Sequence, residues 1–351
     1  MGTPRTLDAW FTTGPFAQNR KVVWIILAAG LLCVSAFAAL LIGAYKPGLW
    51  ETLATIAAPQ GFPPGDERTV LHTIIWEIRL PRILLAIGVG IALASSGAVY
   101  QGCFRNPLVE PYILGVSAGA AFGAALGIVF PKFFLSIQLM AFAGGAIAVF
   151  SAYALARRNG DTPVVALVLA GVLIGSIATA LVSVLKYLAN DAALREIVFW
   201  YMGGFYHVSW SDVRIVLPGV LAGFTLIWAL SWKLNVLSMG DEEARALGVH
   251  PERYKVVLVA LATFITALSV SACGIIAWIG LMMPHAARML LGPDHRFVLP
   301  MSAIMGALYL IICDTLARTL IQAEIPVGII TSLLGAPYLL YLLRNKGKDL
   351  F

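Results

Sequence analysis

PVVALVLAGVLIGSIATALVSVLKYL, residues 163–188, runs through twenty-six positions with a single charge, Lys186, close to its end. A helix needs roughly 20 consecutive apolar residues to cross a bilayer, whereas a membrane barrel strand is about 10 residues long and alternates apolar with polar positions. This stretch has the length and continuity of the first and none of the alternation of the second. Its reading decides the fold: the chain crosses a membrane as α-helices.

The rest of the sequence repeats the pattern. Of 351 residues, 60% are hydrophobic and 12% are charged, and the mean hydropathy is +0.87; soluble domains carry roughly 45–50% apolar residues. Further apolar runs lie at about 22–44, 82–104, 113–130, 134–156, 213–233, 254–273, 275–291, 298–320 and 326–343. With the first stretch they make ten, so both termini share one side. The run at 22–44 is longer than the 7–15 residues of a secretory signal core and reads as an anchor, although Ala36-Phe37-Ala38 has the small-residue form of a cleavage site. The aromatic segment 189–212, containing FWYMGGFYHVSW, either re-enters the membrane or lies at its interface.

Charge orients the spans. On the ten-run layout, fifteen of the 24 Lys and Arg residues fall on the side of the N-terminus, and the 18 acidic residues divide equally between the sides. That side therefore carries the whole net charge of +6 and is cytoplasmic by the positive-inside rule. Residues 1–21 are then a cytoplasmic lead, 22–343 one membrane domain with its longest cytoplasmic loop at about 234–254, and 344–351 a cytoplasmic tail. The basic residues are spread over loop ends and form no nucleic-acid patch. Cys33, Cys103, Cys273 and Cys313 stand singly in apolar sequence without metal or disulfide spacing, and read as packing residues.

Several stretches carry more than hydropathy. Gly115, Gly119, Gly123 and Gly127 recur every fourth residue and leave one helix face almost bare, suited to close helix packing. Gly115 to Gly119 also spell GVSAG, formally a GxSxG nucleophile elbow, but no strand precedes it and Ser117 would need a base such as His285 from another span. FRNPLVEP, 104–111, cannot continue a helix through Pro107 and Pro111 and offers a structural turn or a constriction at a cytoplasmic mouth. In GLMMPHAARMLL, 280–291, His285 and Arg288 read as a polar helix-end pair, with no partners in sequence for a metal. Asp314 and Arg318 are four apart and can pair along a helix. With Arg318, Arg79 and Arg82 fall at outer span ends, either as snorkelling anchors or as a docking site for an acidic partner. The stretch MGDEEARALGVHPERYK, 239–255, is a short charged helix in a loop.

No GxxxxGK[ST] sequence occurs, and no acidic residue sits mid-span to carry a coupling ion. Both absences point to an external motor. The sequence resembles the FecCD-type permeases of ATP-binding-cassette importers, on IRLPR at 78–82, SSGAVYQGCFRNPLVEPYILGVSAGA at 95–120, LAGVLIG at 169–175, FWYMGGF at 199–205, LGVHPERYK at 247–255, GIIAWIGLMMPHAARMLLGPDHR at 274–296, DTLARTL at 314–320 and EIPVGIITSLLGAPYLLYLL at 324–343.

The resemblance implies an all-α polytopic permease of the type II importer architecture, with about ten transmembrane helices per subunit and both termini cytoplasmic. It implies a homodimer with a central pathway in a prokaryotic inner membrane. It further implies two cytoplasmic ATPase subunits, which bind ATP and Mg in place of this chain, and a substrate-binding protein that docks outside. By matching motif, Arg79, Arg82 and Arg318 would meet acidic residues of that protein. Asn106 and Leu108 would stand at a cytoplasmic gate, with Val164 and Val165 at the positions of a second gate element that relatives can build from small hydroxylated residues. Asp241, Glu242, Ala244, Arg245, Leu247 and Gly248 would form the helix that couples to the ATPase, with Ala244, Leu247 and Gly248 as its packing face. Tyr201, Met202 and Phe205 are candidates for the pathway lining. The expected cargo is a ferric siderophore or haem, then cobalamin; the rival from another class is a proton-coupled secondary transporter.

Overall fold

The computed structural model describes residues 15–43, 45–62, 66, 68–132, 135–157, 162–321 and 323–346. Most of the expected cytoplasmic lead and the end of the tail lie outside the described residues. The described chain is helical and contains no strand. In order, the elements are α1 (Pro15–Leu41), α2 (Leu49–Ile56), α3 (Arg68–His72), a π-helical turn (Thr73–Arg79), α4 (Leu80–Phe104), a 3-10 turn (Pro111–Leu114), α5 (Val116–Val129), α6 (Ile137–Ala156) and α7 (Val164–Leu188). There follow α8 (Asp191–Met202), α9 (Trp210–Ala229), α10 (Ser231–Met239), α11 (Asp241–Ala246), α12 (Pro251–Cys273), α13 (Ile279–Leu291), α14 (His295–Thr319) and α15 (Val327–Lys346).

Each of the ten apolar runs contains a helix. Among the described residues seven helices are long and apolar enough to cross a membrane, and Val116–Val129 and Val327–Leu340 are shorter apolar ones. At 1.5 Å per residue α5 reaches only about 21 Å, short of a bilayer core of about 30 Å. The tenth, α13, has 13 residues. The segment 189–212 holds α8, 12 residues long, which reaches roughly 18 Å and cannot cross alone. Asn190 starts it, its side chain accepting the N–H of Ala193 at 2.9 Å.

The second span begins earlier than hydropathy suggests. α3, the π turn and α4 form one continuous helix, Arg68–Phe104. Pro81 has no N–H to give the helix, and the preceding turn is widened: the Leu80 N–H bonds the Ile75 carbonyl, five residues back. The widening lets the chain pass through proline without breaking, with Arg79 and Arg82 both buried at its outer end.

α4 is the central post, packed by α9, α12, α13 and α14 and buried over nearly its whole length. Small residues permit this. A Cβ at Gly97 would collide with the carbonyl of Gly280, and Gly90 faces Gly306 in the same way. α5 and α6 approach through Gly119, Gly123 and Gly144, so the fourfold glycine spacing is used inside one subunit. We expect Gly97→Ala to cost about 1–3 kcal/mol, since the backbone of α13 must move, and to lower the thermal midpoint in detergent. Gly30→Ala, with no atom within 4 Å of the new methyl, should be neutral or stabilising by a few tenths of a kcal/mol; equal midpoints for the two variants would contradict this packing.

Cys103, Cys273 and Cys313 are buried and Cys33 is exposed, all four as free thiols. Ser117 lies one residue into α5, entered from a 3-10 turn, which is not the strand-turn-helix of a nucleophile elbow.

Candidate functional site

The functional candidates gather at the two ends of the bundle. At the end that the charge count makes external, α1, the π turn, α4 and α14 meet. Arg82 is 4% exposed and Asp314 1%. Arg82 donates Nε to Asp314 Oδ1 at 2.8 Å and Nη1 to Glu324 Oε2 at 2.8 Å. Arg318 Nε lies 3.2 Å from the other oxygen of Asp314, the pairing foreseen from their spacing. Arg79 donates to the backbone carbonyls of Leu40 and Tyr45.

The reading of Arg79 and Arg82 as snorkelling anchors is therefore corrected, since both are buried. A guanidinium at a membrane depth without water must find oxygen partners, and Arg79 and Arg82 find theirs within the subunit. Glu324, whose side chain is 40% exposed, joins the cluster; nothing local in sequence could have signalled it, because 242 positions separate it from Arg82.

At the other end, the FRNPLVEP loop starts where Arg105 takes a left-handed φ of 51° and closes α4. Asn106 Oδ1 accepts the Leu108 N–H at 2.9 Å, a self-closed turn that holds Leu108 at 41% exposure. The 3-10 turn after it abuts α7, where a Cβ at Gly171 would run into the Ile113 carbonyl. Past this seam, at the mouth of α7, Val164 is half-buried against the core and Val165 is 72% exposed. Tyr112 Oη donates to the Ile276 carbonyl at 2.8 Å, fixing the non-helical stretch between α12 and α13. Of the lining candidates, Phe205 is buried, Met202 exposed and Tyr201 intermediate.

The charged stretch forms α11 as expected, with one correction. Ala244 is fully buried against its own subunit, so it cannot belong to a face offered outwards. Lys255 Nζ on α12 bonds Asp241 Oδ2 at 2.7 Å, tying the helix to α12, and the Val249 N–H bonds the Ala244 carbonyl at 2.9 Å, closing its end. What remains exposed is Glu242, Glu243, Arg245, Ala246, Leu247 and Gly248. Leu247 is 54% exposed, and Gly248, at φ +74°, has open space beside it.

Two further polar ties hold this end. Arg288 donates to Gln101 Oε1, joining α13 to α4, which gives the Arg288 of the polar helix-end pair a structural partner. Asn235 on α10 donates to Asp294 Oδ1 at 2.8 Å and accepts the His295 N–H at 2.8 Å. Burial alone would raise the pKa of Asp294, but the bonds from Arg296 and Asn235 outweigh it and hold the carboxyl down at about 2. Among the described residues no three His, Cys, Asp or Glu side chains converge as a metal site would need.

Comparison with known proteins fits this architecture. The cobalamin import system permease protein BtuC of Halobacterium salinarum is 44% identical over 299 residues, 85% of this chain and 80% of its own length. The hemin transport system permease protein HmuU of Yersinia pestis is 42% identical over 283 residues, 78% of this chain and 84% of its own. The molybdate import system permease protein MolB of Haemophilus influenzae is 37% identical over 330 residues, 91% and 95%. Among solved structures, an inward-facing metal-chelate type ABC transporter superposes with a TM-score of 0.80 at 36% identity, covering 91% of this chain and 98% of that one. The model of the FecCD transport family matches residues 31–345, nearly the whole membrane domain, and the chain belongs to that family.

Proposed function

We propose that this permease of the ABC importer class moves a metal chelate inward across the cytoplasmic membrane, as a homodimer driven by two separate ATPase subunits and supplied by an external binding protein. The observation that carries the reading is the clamped helix α11. Asp241, Ala244 and Val249 are spent on holding it, while Leu247 and Gly248 stand uncovered in a cytoplasmic loop. An exposed apolar tip on a rigid mount is what a partner cleft would need. The chain itself would do no covalent chemistry, and ATP and Mg would reside on the motor.

The outer arginine cluster supports a docking role in modified form. A carboxylate of the binding protein would approach Arg82 past Glu324, the exposed member of the cluster. Arg318 and Arg79 would hold the floor beneath it. At the opposite end, Asn106 and Leu108 would form one gate element and Val164 and Val165 the other, with hydrocarbon in place of hydroxyls at the second. The wide apolar face of α7, including Val165, Leu169 and Leu173, is proposed to meet the second subunit and the pathway.

A ferric siderophore or haem is the proposed cargo. The relative at 44% identity, a cobalamin import permease, favours cobalamin as the second reading. The test is uptake into proteoliposomes holding the permease, its ATPase and its binding protein, loaded in turn with ferric siderophore, haem and cobalamin. Uptake should require internal ATP and all three proteins, and should survive a protonophore. Uptake without the ATPase, or its collapse on adding the protonophore, would favour a secondary transporter.

A further inference from the structure

Glu252 is the second residue of α12 and lies a few positions beyond the coupling helix. An acidic residue in a first turn is ordinarily explained by the helix dipole and nearby N–H groups. Here its carboxylate is engaged elsewhere. Tyr153, near the end of α6, donates its hydroxyl to Glu252 Oε1. Thr162, the residue before Pro163 and the start of α7, donates its hydroxyl to the same oxygen at 2.5 Å. The two hydroxyl oxygens are 3.1 Å apart. One carboxylate oxygen thus ties the start of α12 to the end of α6 and the entrance of α7, 99 and 90 residues away in sequence.

For α7 the join falls where direct packing does not already provide one, whereas α6 packs on both α12 and α7. α12 packs extensively on α4, α6 and α9, and has no comparable contact with α7. α11 is tied to α12 through Lys255 and Asp241, which gives a push on α11 a path to the start of α12. From there, Glu252 offers a hydrogen-bonded route to the mouth of α7, two residues before Val164.

We propose that Glu252 is a positioning residue that transmits movement of the coupling helix to the entrance of α7, through Thr162 directly and through Tyr153 on α6. This deepens the importer reading and rests on it. The charge makes the joint stronger than one between neutral groups, and the three partners lie on different elements, so the joint can carry force rather than merely close a turn.

The test uses the complete transporter in proteoliposomes and reads ATP hydrolysis and substrate uptake on the same samples. Glu252→Ala should leave ATP hydrolysis near the parent value while uptake per ATP falls by about tenfold, the equilibrium worth of a hydrogen bond to a charged group. Glu252→Gln keeps an oxygen acceptor for both hydroxyls and should restore most of the ratio. Thr162→Val and Tyr153→Phe remove one hydroxyl each and serve if Glu252→Ala assembles poorly; each should lower the ratio in part. An unchanged ratio in Glu252→Ala, or in both single-hydroxyl variants, overturns the proposal. So does a loss of hydrolysis and uptake in equal proportion, which marks a purely structural role. Failure of the parent transporter to take up substrate with ATP would instead count against the importer reading.

Discussion

Asp314→Ala is expected to destabilise the permease by about 3–5 kcal/mol, the cost of breaking a buried ion pair and leaving its partner charged and unmatched. Asp314 sits between two guanidiniums, Arg82 at 2.8 Å and Arg318 at 3.2 Å. It is the shared counter-charge for α4 and α14. Removing it leaves Arg82 with Glu324 alone and Arg318 with no carboxylate in contact. Two cations close together at the rim of an apolar bundle would then repel each other with little water to screen them. Asp314→Asn should cost less, because its amide oxygen still accepts from Arg82 while only the charge is lost. Glu324→Gln should cost least, since that side chain reaches solvent and Arg82 keeps its bond to Asp314. Thermal unfolding in detergent checks the order. A midpoint lowered by about 5–10 °C for Asp314→Ala is expected from the size scaling of stability, and a midpoint for Asp314→Ala no lower than that for Glu324→Gln would sink the account.

The same cluster marks where sequence reading succeeds and where it stops. The ten apolar runs were legible because lipid demands long uncharged helices, and each run has its helix. The Asp314–Arg318 pair was legible because four residues make one helical turn. Arg82 with Glu324 was not, because their meeting depends on how the connection between α14 and α15 returns over the start of α4. Hydropathy also missed the start of the second span: Glu77, Arg79 and Arg82 interrupt the apolar run, and the chain stays helical through them because widening the turn at Thr73–Arg79 absorbs Pro81. The face of α11 was misread at one position for a related reason. Ala244, Leu247 and Gly248 do share a side of a helical wheel, but α11 ends at Ala246 and the chain then turns at Gly248. Ala244 consequently points into the subunit while Leu247 points away. Glu252 carried no signal either, since an acidic residue after a helix-starting proline is common for reasons unconnected with distant threonines and tyrosines.

Leu247→Asp should abolish coupling while leaving the fold unchanged. A leucine that is 54% exposed beside a glycine with nothing near it contributes little to the stability of the isolated subunit. Seated in an apolar cleft of a partner, it would be worth about 1.5–3 kcal/mol, and a carboxylate in its place would forfeit that and add the cost of burying a charge. The combined loss predicts ATP-driven uptake reduced by about a hundredfold or more, each 1.4 kcal/mol being a factor of ten. Gly248 makes a less clean probe. Its φ of +74° is a conformation in which a side chain costs about 1–2 kcal/mol, so a bulky residue there would disturb the backbone as well as the surface. Gly248→Asn, which tolerates that conformation better, separates the two effects. The measurements are co-purification of the ATPase, uptake in proteoliposomes and the thermal midpoint of the permease alone. Loss of the first two with the third unchanged is the expected result, and it would locate the motor contact on the exposed tip of α11. Parent-like uptake in Leu247→Asp would move that contact elsewhere and remove the mechanical premise on which the role of Glu252 depends.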